Sequence, residues 1–266
     1  MLWTTKTFLS FFGLTFGFAV FGSDRLVSLA PGITSSVVFL GKEPRLVGVT
    51  KFCGVYLEGA RKIPVVGGLL YPNREKIFAL RPTLILASPW ARYPWPGRIP
   101  VFTVGMENVR ETVAGLRFLG RRLGREEKFL WWLSQMEKEK NSGRPMQVLF
   151  LFGLNKTFSA GRGSYVHDLV EFSGARNLST EGRSAWPCLS REFVLASDPD
   201  RLVVAVPTEV YEDRFRWMER YRRDPFWGLL KAVKSHHLYF VDERNFLIPG
   251  PRFVEALRVL NCCWEI

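Results

Sequence analysis

Residues 73–87 read Asn73-Arg74-Glu75-Lys76-Ile77-Phe78-Ala79-Leu80-Arg81-Pro82-Thr83-Leu84-Ile85-Leu86-Ala87, and their reading decides the fold. Asn73 to Leu80 is expected to be helical, closed by Arg81-Pro82 because proline cannot continue a helix. Thr83 to Ala87 is a continuous apolar run, the pattern of a strand covered on both faces. A helix that feeds a doubly covered strand belongs to a mostly parallel sheet with helices on its faces.

The same alternation extends upstream. Arg25 to Ala30 (RLVSLA) is a strand ending at Pro31-Gly32, Ser35 to Leu40 a helix, and Leu46 to Thr50 (LVGVT) a second strand. Downstream, Val101 to Val104 is another strand. From Glu107 to about Asn141 the chain reads as helix, divided at Gly124, with acids opening the second helix and bases closing it. That helix, of about 25 Å at 1.5 Å per residue, is long enough to bridge two halves. Gly143-Arg144-Pro145 ends it. The α/β pattern then restarts. Gln147 to Phe152 (QVLFLF), Arg201 to Val206 (RLVVAV) and Leu238 to Val241 are strands. Val166 to Ser173, Ser190 to Ala196, Asp213 to Arg223 and Pro251 to Leu260 are helices. The organisation is two similar α/β halves joined by helix, with residues 23–124 as the N-terminal half, 125–143 as the connector and 144–266 as the C-terminal half.

The 266 residues are 47% hydrophobic and 23% charged, which excludes a disordered chain. The net charge of +12 suits an anionic partner, a lipid surface or an acidic ligand. Nucleic acid is set aside because the first 22 residues read as an export signal. Lys6 is the only charge before Asp24, and Phe8 to Gly22 is uncharged and Phe-rich. As a helix that run would span about 22 Å, short of the roughly 30 Å hydrocarbon core. Residues 1–22 are therefore expected to be a signal peptide cleaved before Ser23, leaving a soluble periplasmic protein. No Cys follows the apolar run, so no lipid anchor is expected there. Cys53, Cys188, Cys262 and Cys263 are then in an oxidising compartment but lack metal-ligand spacing.

Much catalytic chemistry is missing. There is no dinucleotide fingerprint, no phosphate-binding glycine loop and no Gly-x-Ser-x-Gly elbow. His236 and His237 are adjacent, and adjacent histidines rarely ligate one metal. His167 beside Asp168 is the one pair that keeps a periplasmic enzyme as an alternative. What stands out is aromatic residues on loops after strands: Phe52, Tyr71, Trp90 with Tyr93 and Trp95, Phe158, Trp186 and Phe246. Open α/β sheets bind ligands outside the carboxyl ends of their strands, so these residues on both halves point to a shared apolar cleft.

Several segments carry a family resemblance. They are Arg25 to Pro31 (RLVSLAP), Leu46 to Thr50 (LVGVT), Glu75-Lys76-Ile77 with Leu80 to Leu86 (LRPTLIL), and above all Phe150 to Val206 with WPCLSREFVLASDPDRLVV. In order and spacing they resemble the helical-backbone solute-binding proteins that serve ABC importers of cobalamin, haem and iron-siderophores, most closely the cobalamin-binding members. The resemblance implies an α/β fold of two Rossmann-like lobes with mostly parallel sheets, joined by a rigid connecting α-helix, and a ligand held between the lobes. It implies a monomer that carries a corrinoid, or else an iron-siderophore or haem, to a permease dimer in the inner membrane, with no catalysis and no resident cofactor. The ligand-binding set it implies, with the loop residues above, is Pro31, Gly32, Phe52, Leu69, Tyr71, Trp90, Phe158, Trp186 and Phe246. Glu75 and Glu192 match the lobe-surface glutamates that dock on the permease. Leu69 and Ser88 stand where the cobalamin-binding members have pocket tryptophans, Ser173 replaces one half of their disulfide, and their acidic and basic pocket residues have no clear counterpart around Arg244 to Ile248.

Overall fold

The computed structural model describes residues 24–91, 99–141, 146–179 and 184–265. The export signal, Tyr93, Trp95 and the Gly143-Arg144-Pro145 stop lie outside the described residues. Among the described residues two sheets organise the chain, one per lobe. In the first, β1 (Leu26–Ser28), β2 (Leu46–Val49), β3 (Leu84–Ala87) and β4 (Val101–Thr103) run parallel in the order β2-β1-β3-β4. In the second, β5 (Gln147–Phe152), β8 (Arg201–Val206) and β9 (Leu238–Asp242) are parallel, and the short β6 (Phe158–Ser159) and β7 (Arg176–Asn177) both pair with β5. Every residue of β3 is buried, as is every residue of β8 after Arg201, which is why those strands carry no polar alternation.

The helices α1 (Pro31–Phe39), α2 (Lys51–Tyr56) and α3 (Arg74–Ala79) belong to the first lobe. The expected helix at Ser35 begins four residues earlier, with Pro31 in its first turn. Proline there loses no hydrogen bond, and the buried hydroxyls bond back along the helix, Ser36 to the Gly32 carbonyl at 2.8 Å and Thr34 to that of Ala30 at 3.1 Å. The helical stretch after Glu107 is α4 (Val109–Arg122) and α5 (Glu126–Lys138), separated by Gly124 at φ +63°. In the second lobe α6 (Tyr165–Phe172) and α7 (Arg191–Ser197) fall where the pattern placed them, the latter capped by Ser190. The polar helix expected from Asp213 is α9 (Arg214–Arg223), preceded by a short helix that the pattern did not show, α8 (Thr208–Glu212), and α10 (Lys231–Lys234) leads into β9. The last helix, α11 (Phe253–Trp264), starts two residues beyond Pro251, which lies in the preceding turn.

One core cluster runs from the first sheet (Leu26, Leu84) through α4 and α5 to α6, α11 and the second sheet (Phe150, Val203). On α5, Phe129, Trp132 and Met136 are buried. The Trp132 indole N–H donates to the Pro251 carbonyl at 2.8 Å. Glu139, just past α5, accepts from the Arg258 guanidinium at 2.8 Å, and its carbonyl accepts from the Asn261 amide at 2.9 Å. The lobes also meet directly, because a Cβ on Gly32 would stand 2.7 Å from the Pro249 carbonyl oxygen. Among the described residues no helix is long and apolar enough to cross a membrane.

Trp132 is 1% exposed. Trp132→Ala is therefore expected to lower stability by about 3–5 kcal/mol through the cavity and the lost contact to Pro251. Urea unfolding followed by circular dichroism measures this, and a loss below about 1 kcal/mol would mean that α5 is not clamped as described.

Candidate functional site

The carboxyl ends of the strands carry the candidate residues. In the first lobe β1 delivers Pro31, and β2 delivers α2 with Phe52 in its first turn, so Phe52 stands on a helix where the sequence reading put it on a loop. Phe52 is 39% exposed and the Lys51 ammonium lies 4.9 Å from its ring centre. The loop before α3 folds back at Gly67, which pairs with Pro72. At φ +116°, with Asn73 N only 2.8 Å from where a Cβ would stand, Gly67 has no room for a side chain. This turn leaves Leu69 half-buried and Tyr71 82% exposed. Beyond β3, Trp90 is 57% exposed and hydrogen-bonds the Glu107 carboxyl. Burial and then the Glu111 charge push that carboxyl up, against the pull of the indole.

In the second lobe the antiparallel pairing of β6 with β5 sets Phe158 opposite Phe152. Phe158 and Trp186 stack, with planes 14° apart and centres 6.2 Å apart. Trp186 meets Phe152 at 5.8 Å and Tyr165 at 5.5 Å in edge contacts, and Tyr165 stacks on Phe253 at 5.6 Å. The Tyr165 hydroxyl donates to the Phe246 carbonyl at 2.6 Å, and burial pushes its ionisation well above the ordinary phenol range. The result is an aromatic wall whose outer layer, Phe158, is 38% exposed. Such edge and stacked contacts each add about 0.5–1.5 kcal/mol beyond burial, so the wall is rigid before any ligand arrives. Tyr165 escaped the sequence reading because it opens helix α6 and does not stand on a loop directly after a strand.

Not every candidate faces open space. Phe246 is 0% exposed, packed against Phe150 at 5.0 Å, and so supports the wall from behind. Gly32 is buried against Pro249 and serves the close approach of the lobes. The last loop does hold an acid–base pair that the sequence comparison left without a clear counterpart. Asp242, at the end of β9, accepts from Arg244 at 2.7 Å and from the Thr208 hydroxyl at 3.3 Å. Burial opposes the Asp242 charge, but the Arg244 hydrogen bonds outweigh it and hold the carboxyl below its usual range. A groove of about 380 Å³ lined by Phe39, Trp131, Trp132 and Val254 contains none of the candidate ligand residues.

Glu75 and Glu192 occupy equivalent places. Each is the second residue of a short helix, behind a capping Asn73 or Ser190, and each is exposed. The Glu192 carboxylate is held below its usual range by its own backbone N–H and the Ser190 hydroxyl. His167 and Asp168 turn to different partners: His167 Nδ1 meets the Asn177 amide at 3.0 Å, and Asp168 accepts the Val109 N–H at 2.9 Å. His236 and His237 precede β9, at the amino ends of the strands. Among the described residues no group of three or more His, Cys, Asp or Glu is placed to hold a metal, and all four cysteines are free thiols.

Two lobes with parallel sheets, a packed connecting helix and an aromatic wall at the strand ends define a solute-binding protein. The family model described as periplasmic binding protein matches residues 26–245, and the chain belongs to that family. It is 28% identical over 212 residues to a vitamin B12-binding protein of Salmonella paratyphi A, covering 72% of this chain and 76% of that one. The fold is similar to that of the periplasmic vitamin B12 binding protein BtuF of Vibrio cholerae, with TM-score 0.74 at 19% identity over 91% of this chain and 96% of that one. It is also similar to the periplasmic heme-binding protein RhuT from Roseiflexus sp. RS-1, with TM-score 0.70 at 25% identity over 91% and 98%.

Burial pushes the Asp168 carboxyl up, against the Val109 N–H and the His167 charge. A raised folded pKa gives stability that is full below the ordinary carboxylate value and lost as pH rises through the folded one. Asp168→Asn keeps an acceptor for Val109 but carries no charge. It is expected to melt above the wild type at neutral pH, with a gap that closes on acidification. A gap independent of pH would contradict this.

Proposed function

We propose that the chain captures a corrinoid between its lobes and delivers it to the permease dimer of an ABC importer. The observation that carries this reading is the stacked Phe158–Trp186 pair, braced by Phe152 and Tyr165, at the same strand edge as Phe52, Tyr71 and Trp90 of the other lobe. A broad, largely apolar wall suits a bulky macrocycle, while Lys51, Asp242 and Arg244 supply partners for polar groups at its edge. The relatives named for vitamin B12 support this choice of ligand. The protein acts as a periplasmic monomer of three parts, 23–124, 125–143 and 144–266, after removal of residues 1–22. It performs no chemistry on its cargo.

A haem or ferric chelate is the second reading. The likeness to a heme-binding protein favours it, as does Tyr71, whose 82% exposure leaves a phenol oxygen of the kind that can ligate haem iron. Titration with cyanocobalamin and with haemin separates the two.

Calorimetry with cyanocobalamin is expected to give an affinity that Trp186→Ala and Phe158→Ala each weaken by about thirtyfold, the loss of a buried aromatic anchor worth about 2 kcal/mol. Unchanged affinity in both variants removes these residues from the binding surface.

Glu75 and Glu192 each meet a basic patch on the two-fold permease, and rim charges of this kind set orientation and on-rate more than affinity. Glu75→Lys combined with Glu192→Lys is expected to keep ligand binding and abolish uptake in vesicles reconstituted with the cognate permease. Wild-type uptake by the double variant would overturn the docking assignment.

A further inference from the structure

We propose that the outer face of α9 is a docking surface for an anionic lipid membrane. Residues 214–223 hold five arginines and one glutamate. The inner side of α9 is spent on the core: Tyr221 is 1% exposed, and Trp217 and Met218 pack against the second sheet. Its outer side carries Phe215, 68% exposed, between Arg214 and Arg216, the latter with an 85% exposed side chain. Leu229, 54% exposed, belongs to the turn that packs on α9.

Several of the cations lie over aromatic rings, which replace part of the water around them at a drying surface. The Arg214 guanidinium lies 4.6 Å from the Phe215 ring centre and 4.8 Å from that of Tyr211, and Arg220 lies 4.9 Å from that of Trp217. Two arginines have local acids, Arg216 with Asp213 at 3.7 Å and Arg222 with Glu219. The acids of α8, Glu209 and Glu212, lie at the opposite end from Arg220, Arg222 and Arg223. An exposed aromatic ring flanked by arginines combines apolar insertion with headgroup attraction, the two terms that hold helices at a bilayer surface.

Position selects phospholipid as the occupant. The Tyr221 hydroxyl accepts from the Asn155 N–H at 3.3 Å, in the loop beyond β5, and the Arg191 guanidinium lies 4.2 Å from the Phe226 ring centre, just past α9. The end of α9 therefore borders the start of α7, where Glu192 stands. This placement rests on the docking reading above for its orientation: an edge turned toward a permease brings α9 toward the lipid around it. Weak lipid binding would then hold the protein near the membrane and shorten its search for the permease.

The test is co-sedimentation of the purified, ligand-free protein with vesicles of phosphatidylcholine, either pure or doped with phosphatidylglycerol. Binding is expected to be about tenfold tighter to the doped vesicles and to vanish in high salt. Arg216→Glu combined with Arg223→Glu should abolish the preference, and Phe215→Ser should weaken binding to doped vesicles. If the charge-reversed variant does not fold by circular dichroism, Phe215→Ser and Arg216→Gln carry the test. Equal binding to both vesicle types, or wild-type binding by the variants, overturns the proposal. Binding to solubilised permease but not to vesicles also overturns it and makes α9 a protein contact. Calorimetry with cyanocobalamin on the same samples keeps the two readings separate: vesicle binding without corrinoid binding sinks only the ligand assignment, and the reverse outcome sinks only this one.

Discussion

The packing of α5 against α11 is the constraint on which the rest of the molecule depends. Trp132 reaches across to the Pro251 carbonyl, and Glu139 holds both Arg258 and Asn261. Around these contacts the two lobes share one continuous core. A connector exposed on all sides would leave the lobes to move as separate bodies, since domain motion is the default where few apolar contacts cross. Here relative movement of the lobes must disturb a close-packed interior, so only small displacements come without breaking contacts. The glycine at position 32, pressed against Pro249, adds a second point at which the lobes touch without a side chain between them.

That rigidity has a consequence for recognition. The aromatic wall of the second lobe is layered, with Phe253 behind Tyr165, Tyr165 against Trp186, and Trp186 against Phe158. Each ring is fixed by the one behind it, and the series ends in a helix that also clamps the connector. Little side-chain freedom remains to be lost when a ligand covers the exposed layer, which favours affinity through pre-organisation. The first lobe is built differently. Tyr71 and Trp90 are largely exposed there and Phe52 is covered in part by the Lys51 ammonium, so this side can adjust to the shape of what the rigid side holds.

The charges are divided by place. In the described part of the molecule Asp242 and Arg244 form a partly buried pair at the strand ends, whereas Glu75 and Glu192 stand on the exposed first turns of two helices. The strand-end polar groups are engaged with one another, while the rim acids meet water. The arginines of α9 form a third group.

The alternation of helix and doubly buried strand was legible along nearly the whole chain, because apolar runs such as Leu84 to Ala87 and Leu202 to Val206 need cover on both faces wherever they fold. The helix caps Asn73 and Ser190, the break at Gly124 and the aromatic content of the loops are also local properties, and local chemistry dictates them. Some boundaries were not legible: α1 starts at Pro31 because its hydroxyls find carbonyls inside the helix, and α11 starts beyond Pro251. Tertiary structure alone decided which aromatic residues are surface and which are support. Phe158 and Phe246 both follow strands and look alike in sequence, yet one is 38% exposed and the other is 0% exposed. The turn of Asp168 toward α4 instead of toward His167 was likewise settled by folding. The physical reason is that burial and partnership depend on what a distant segment brings to the same place: Phe150 and Tyr165 cover Phe246, and Val109 meets Asp168, each from far away in sequence.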